Sequence, residues 1–259
     1  SPGYDKVIYL DPDIGVFSRL DGILRRLDRG SVVLTPHQTE PNSTELAVID
    51  NEMTSLQYGI FNLGFVAARN DRTGRAFAAW WAGMLYRACY DAPERGIFTD
   101  QKYCDLVPAL FDRVEVDRDP GYNVASWNLS RRKLRFGPDG TLWAGGSPLK
   151  FYHFTKIGKV GDAMTQRYAL DNVEVYELVN WYKRELVRQS VPEADRHQWV
   201  YGSFSDGTPI PKPARLLYRD RGDLRRAFPA PFDASNGGYL AWLRAETDII
   251  PARTTVNAA

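Results

Sequence analysis

Apolar residues fall in short blocks separated by polar or proline-marked stretches, and the blocks predict alternating strands and helices. Val7-Ile8-Tyr9-Leu10 is β-branched, aromatic and apolar, so it reads as a buried strand. The strand is stopped at Pro12, which has no amide donor, and Asp11 and Asp13 sit where it ends. Val16, Leu20, Ile23, Leu24 and Leu27 recur at helical spacing across Gly22, predicting a short helix or a turn-rich cover. Val32-Val33-Leu34 predicts a brief strand ended by Pro36, with His37 in the loop that follows. This histidine is a candidate ligand or acid–base group, but a lone loop histidine is more often solvated. Residues 38–46 are polar and read as loop, and 46–59 read as weakly helical.

Ile60 to Ala67 is the second strong strand, interrupted by Asn62 and Gly64. A glycine inside a strand signals close backbone approach by a ligand or another segment, or a bulge. Asn62 offers two donors and an acceptor to a polar ligand. Phe77, Trp80, Trp81, Met84, Leu85 and Ala88 form an amphipathic stripe, predicting a helix over 74–89 capped by Asp71 or Thr73. Thr99 or Asp100 is expected to cap a further helix with Gln101 in its first turn. Val114-Glu-Val116 alternates as a strand, and Leu134–Phe136 with Thr141–Trp143 predicts a hairpin across Pro138-Asp-Gly140. Leu149–Tyr152 predicts a strand delivering His153. Val175, Leu178, Val179, Tyr182 and Leu186 predict a helix over 171–189, stopped by Pro192. Residues 202–213 read as a proline-rich loop, 214–244 as an arginine-rich helical appendage, and the chain after Pro251 as a frayed tail. Strands at 6–11, 60–67 and 149–153 are expected in one central sheet.

The chain has 259 residues, 44% hydrophobic and 25% charged, within the ordinary globular range. With Lys+Arg 33 against Asp+Glu 32 it lacks the basic excess of a nucleic-acid binder, although a local basic pocket remains open. Cys89 and Cys104 cannot make a disulfide framework or a four-cysteine zinc site, which favours a reducing compartment. No apolar run of membrane-spanning length is present, so no transmembrane segment is predicted, and a cytoplasmic or membrane-peripheral location is expected.

Asp11 and Asp13 carry the candidate chemistry. Carboxylates this close repel unless a cation lies between them, and oxygen ligands suit Mg²⁺ or Mn²⁺. Strand ends are where ligands gather in open α/β sheets. The competing reading is an Asp-Pro-Asp turn with solvated carboxylates. His153, followed by Lys156 and Lys159, adds an imidazole suited to Mn²⁺ and two cations suited to phosphate.

Taken together, these segments resemble the GT-A-fold retaining glycosyltransferases of the family 8 type, the group that includes glycogenin and bacterial galactosyltransferases. Asp11-Pro-Asp13 matches the Asp-x-Asp motif, Phe61-Asn-Leu-Gly-Phe65 the Phe-Asn-(small)-Gly strand, and Asp100-Gln101 the Asp-Gln helix start. Tyr122-Asn123 matches a Tyr/Phe-Asn pair, and His153 to Lys159 the His-(Phe/Tyr)-x-Gly-x-x-Lys segment. The match runs over about residues 4–160 in the family's order. It implies an α/β, GT-A-like mixed sheet flanked by helices over a core at 1–190; the residues beyond, 191–259, are expected to form a loop-rich C-terminal extension with short helices. It implies Mn²⁺ (or Mg²⁺) on Asp11, Asp13 and His153, Asp11 also lying near a ribose. Lys159 would bind the diphosphate, and Lys156, though not a family position, is a further substrate-binding candidate. Asn62 and Asp100 would hydrogen-bond the donor sugar, with Gly64, Tyr122 and Asn123 also at the substrate. Gln101 would lie beneath the anomeric carbon. The implied activity moves a sugar from a nucleotide-diphospho-sugar, a UDP-sugar first, to a glycan or small-molecule acceptor, with retention.

Two departures stand out. Lys156 occupies a position where the family has Gly. The family also places a nucleotide-binding section well before its Asp-x-Asp strand, whereas ten residues precede Asp11 here. The N-terminal nucleotide-binding strands are therefore expected to be missing from this chain, or supplied by another segment. Two other classes compete. A haloacid-dehalogenase-type phosphatase also begins strand-Asp-x-Asp, and Gly161-Asp162 loosely matches its later acidic motif, but Ile14-Gly15-Val16 and Gln166 depart from its pattern. The other is a non-catalytic sugar-binding fragment.

Overall fold

A computed structural model describes residues 3–191 and 199–250, and these form a mixed α/β chain in two compact units, residues 1–186 and 187–259. The Pro192 helix stop and the tail after Pro251 lie outside the described residues.

In the first unit, β1 (Lys6–Leu10), β2 (Ile14–Val16), α1 (Asp21–Arg29), β3 (Val32–Pro36) and β4 (Phe61–Arg69) follow in order. The central sheet runs β1, β4, β3, then the Val114–Val116 strand. β4 is antiparallel to both neighbours, while β3 is parallel to Val114–Val116, so the sheet is mixed. Successive side chains point to opposite faces. Val32 and Leu34 therefore pack with Phe77 of the Arg72–Ala88 helix, and Val33 packs with Ile23 and Leu27 of α1. Asp71 caps that long helix through Gly74 N, as its sequence position predicts.

The alternation fails once, at a position that matters. Leu34 pairs with Val66 but Pro36 pairs with Phe61, so β4 carries extra residues against β3. Phe61, Leu63 and Val66 join the cluster under the long helix, whereas Phe65 and Ala67 join the α1 side. Asn62 and Gly64 lie in this bulge, the kind of local kink that re-aims side chains at sheet edges and sites.

The Phe151–His153 strand is not in the central sheet. It pairs antiparallel with β2 in a separate ribbon, with Ile14 opposite His153. The tight Asp11–Ile14 turn, closed by Ile14 N to Asp11 O at 3.1 Å, carries the chain from β1 into this ribbon. Leu134–Phe136 and Leu142–Ala144 make the expected hairpin, extended by Ser147–Pro148. With the ribbon and the helices Val160–Ala169 and Val173–Gln189 it encloses a further core around Leu149, Tyr152, Phe154 and Leu178. Residues 45–58 are helical, with a π-helical middle at Val48–Met53. Asp100 and Thr99 cap no helix: Thr99 lies at φ +41 and donates to Asp100, and a 3-10 turn begins at Lys102.

The second unit is built from the helices Lys212–Asp220, Gly222–Ala227 and Tyr239–Glu246 around Phe204, Ile210, Leu224, Tyr239 and Leu243. Among the described residues no helix is long and apolar enough to cross a membrane.

Candidate metal centre

Asp11 terminates β1, and its amide donates to Gly64 O across the bulge at 2.8 Å. Asp13 follows Pro12 and immediately precedes β2, so the β2 pairing carries it to His153; Phe154 N donates to Asp13 O at 2.9 Å. One ligand atom from each of Asp11, Asp13 and His153 lies within 4.8 Å of the others, and among the described residues this is the one such group of acidic, histidine or cysteine side chains. His153 Nε2 stands 3.0 Å from Asp13 Oδ1 and 3.9 Å from Asp11 Oδ2. The imidazole is 6% exposed, while the carboxylates are 34% and 37% exposed, so the cluster is backed by protein on the histidine side and open on the carboxylate side. The hydrogen bond from His153 holds the Asp13 carboxyl below the usual carboxylate range.

The far side of the imidazole is fixed. His153 Nδ1 lies 3.1 Å from Asn62 Oδ1. Asn62 Nδ2 lies 3.4 Å from both Gln101 Oε1 and His37 Nε2. Gln101 Oε1 also accepts from Leu63 N at 3.1 Å, and Gln101 Nε2 donates to Tyr58 O at 3.0 Å. His37 Nδ1 faces Ile60 O at 3.3 Å. His37 is half-buried rather than solvated, and burial pushes its pKa down to about 4. Trp127 stands edge-on to both rings, 5.1 Å from His37 and 5.3 Å from His153.

Gly64 meets another segment, as a glycine in a strand can: a methyl group there would lie 2.5 Å from His153 Cε1. Asp100 accepts from Thr99, and its charge is among those that raise the Tyr9 pKa. Lys156 and Lys159 are exposed in the turn between His153 and the Val160–Ala169 helix, and Lys159 N closes that turn onto Lys156 O at 3.1 Å. The turn reverses tightly enough that a side chain on Gly161 would meet Thr155 O at 2.1 Å.

Tyr122 is set apart from the cluster. Its ring is buried against Phe151 with the α1 core, and burial pushes its pKa up to about 12. Asn123 is fully buried at φ +53, and its backbone carbonyl accepts from Asn128 at 2.9 Å. Both polar atoms of the Asn123 side chain are without a hydrogen-bond partner. Asp162 is tied to Lys183 at 2.7 Å and is no member of the acidic group.

Sequence reasoning missed Tyr9, whose hydroxyl donates to Asp11 Oδ1 at 2.7 Å and whose pKa that bond chiefly raises, to about 12. The i, i+2 spacing along one strand face was the available signal. It also missed Trp127 and the His37–Asn62 contact, which join residues far apart in the chain with no local pattern.

The donor set fits a divalent cation. With Nδ1 held by Asn62 Oδ1, His153 turns Nε2 toward the two carboxylates; without a metal Nε2–H donates to Asp13 Oδ1, and a bound cation would take the place of that proton. Two carboxylates and an imidazole, partly open to water, suit Mn²⁺.

Two relatives are similar to this chain. Uncharacterized protein YfnF of Bacillus subtilis (strain 168) is 30% identical over 155 residues, covering 60% of this chain and 50% of that protein. Uncharacterized protein YfnD of the same organism is 30% identical over 208 residues, covering 80% of this chain and 64% of that protein. The chain thus spans about half the length of the first and under two thirds of the second. No family model and no solved structure matches it.

Proposed function

We propose that this chain carries the catalytic centre of a metal-dependent glycosyltransferase with a GT-A-like fold, acting on a nucleotide-diphospho-sugar, UDP-sugars first, and a glycan or small-molecule acceptor. The observation that carries the reading is the meeting of Asp11, Asp13 and His153, three side chains from two distant segments, at the end of a strand. Lys156 adds support. It adopts φ +51, the left-handed conformation that glycine takes without strain, at the position where the resemblance implies a glycine.

Asp11, Asp13 and His153 would hold Mn²⁺ (or Mg²⁺), which when bound neutralises charge on the departing nucleoside diphosphate. Lys159, exposed beside the same strand end, supplies a further positive charge to the phosphate oxygens. Asp100, next to Gln101 in the chain, would supply a carboxylate to face positive charge developing on the sugar. Gln101 has both ends of its amide engaged by protein, so a direct role at the anomeric carbon would require it to release those bonds.

The test is calorimetric titration of Mn²⁺, then of UDP-glucose and UDP-galactose, followed by chromatography of released UDP. Metal-dependent donor binding with UDP release supports the proposal. Donor binding without turnover would reassign the chain to sugar binding, and phosphate release from p-nitrophenyl phosphate without donor binding would reassign it to a phosphatase.

A further inference from the structure

Six groups around His153 form hydrogen bonds whose directions are fixed from the backbone inward. Tyr58 O can only accept and Leu63 N can only donate, so Gln101 must present Nε2 to the first and Oε1 to the second. Gln101 Oε1 then requires a donor from Asn62, which turns Nδ2 toward Gln101. On the neighbouring side Ile60 O accepts from His37 Nδ1–H, leaving His37 Nε2 as an acceptor for the second Nδ2 hydrogen. Both amide hydrogens of Asn62 are therefore committed, and its Oδ1 is left to accept from His153 Nδ1–H.

From this geometry we infer that Gln101 and Asn62 are positioning residues that set the orientation and tautomer of His153, so that Nε2 faces Asp11 and Asp13. The inference rests on the metal reading above and gives Gln101 and Asn62 a task other than touching the sugar. It uses a general feature of metal sites: a ligating histidine donates its other ring N–H to a fixed acceptor, and loss of that partner typically costs about 10- to 100-fold in metal affinity. Here the acceptor is an amide oxygen whose own orientation is set two residues further back. Gly64 completes the arrangement, because only a residue without Cβ leaves space for the imidazole at this height over β4.

The experiment compares wild type with Asn62→Leu, Gln101→Leu and Asn62→Asp. Mn²⁺ affinity is measured by calorimetry, and the His153 ring is observed by long-range ¹⁵N–¹H spectra of metal-free and Zn²⁺-loaded protein. Wild type is expected to carry the ring proton on Nδ1 in the Zn²⁺-loaded form. Asn62→Leu and Gln101→Leu are expected to lose about 10- to 100-fold in Mn²⁺ affinity. Asn62→Asp keeps an acceptor for Nδ1–H and is expected to retain both binding and the Nδ1 proton, which separates the relay from general loss of packing. In Zn²⁺-loaded wild type, a ring proton on Nε2 in place of Nδ1 overturns the inference even if no variant folds. So does unchanged Mn²⁺ affinity in both leucine variants. If wild type binds neither Mn²⁺ nor Zn²⁺, the metal reading fails. The relay is then judged on metal-free protein alone, by whether Gln101→Leu moves the proton from Nδ1.

Discussion

His153 lies directly over Gly64, so closely that a single added methyl group would stand 2.5 Å from His153 Cε1 and 2.9 Å from Asn62 Oδ1. Neither neighbour is the free end of a flexible chain: the imidazole is packed against Trp127, and Asn62 is held by Gln101 and His37. Gly64→Ala must therefore displace the His153 ring. Overpacking of this kind typically costs about 1–3 kcal/mol. The variant is expected to lose both stability in urea melts and Mn²⁺ affinity by calorimetry. Wild-type values for both would mean that the bulge gives way without cost.

Asp13 couples the two halves of the cluster, sitting 3.0 Å from His153 Nε2 on the turn that joins β1 to the ribbon. On the proposed metal reading, Asp13→Ala is expected to abolish measurable Mn²⁺ binding, since it removes one of the two carboxylates that would hold the ion. The fold should survive, because the Phe154 N to Asp13 O bond is made by backbone. Unchanged Mn²⁺ affinity would identify the motif as a solvated turn.

His37 gives the site a pH-dependent stability. Burial lowers its folded pKa from 6.5 to about 4. Between these values the unfolded chain binds a proton that the folded chain does not, so stability is full above the window and falls as pH drops through it. From pH 7 to pH 5 the loss is about 2 kcal/mol from this group. Urea melts of wild type and His37→Leu across that range should show a steeper decline in wild type. Parallel declines would remove His37 as the cause. The lowered Asp13 pKa acts at more acid pH, with stability lost as pH falls through its folded value below 3.8, and leaves this window clear.

Much of this was legible in the chain, for physical reasons that differ by element. β4 was readable because its apolar run is buried on both faces, and the Arg72–Ala88 helix because it turns an apolar stripe to the sheet, whereas β1, expected to be buried, is an edge strand that buries Ile8 and Leu10 on one face and leaves Val7 and Tyr9 exposed. The meeting of Asp11, Asp13 and His153 was legible because their residue types are chemically marked and each stands at a strand end. The parting of the Phe151–His153 strand from the central sheet was not readable. Short apolar strands look alike in sequence whichever partner they take, and β2 offers only Ile14-Gly-Val16 as a signal. The role of Gln101 was hidden for a related reason. A polar residue after an acidic one resembles a helix start, whereas its contacts reach back to Tyr58 and Leu63. Asn62 and Gly64 stand out in the sequence as interruptions of an apolar strand, but the segment that approaches them lies 89 residues beyond Gly64, counted from 64 to 153.

The turn after His153 separates strain from charge. Lys156 at φ +51 adopts a conformation that costs an L-residue roughly 1–2 kcal/mol and glycine almost nothing. Lys156→Gly should therefore raise stability, by about 1 kcal/mol once the greater freedom of glycine in the unfolded chain is subtracted. Lys159 has φ −137 and stores no such strain, so Lys159→Ala should leave stability near wild type. Their effects on turnover should run in the other order. A lysine that meets the diphosphate as it gains charge acts more strongly on the transition state than on the bound donor. Lys159→Ala is accordingly expected to lower kcat by about 100-fold or more with a smaller change in KM. Lys156→Gly removes a charge from the same exposed turn but also relaxes it, and its effect on kcat should be the smaller of the two. The measurements are urea melts and steady-state kinetics with Mn²⁺ and a UDP-sugar on both variants. A kcat loss confined to Lys156→Gly would place the phosphate contact at the strained position, and the strain would then belong to binding rather than to an uncorrected departure from glycine.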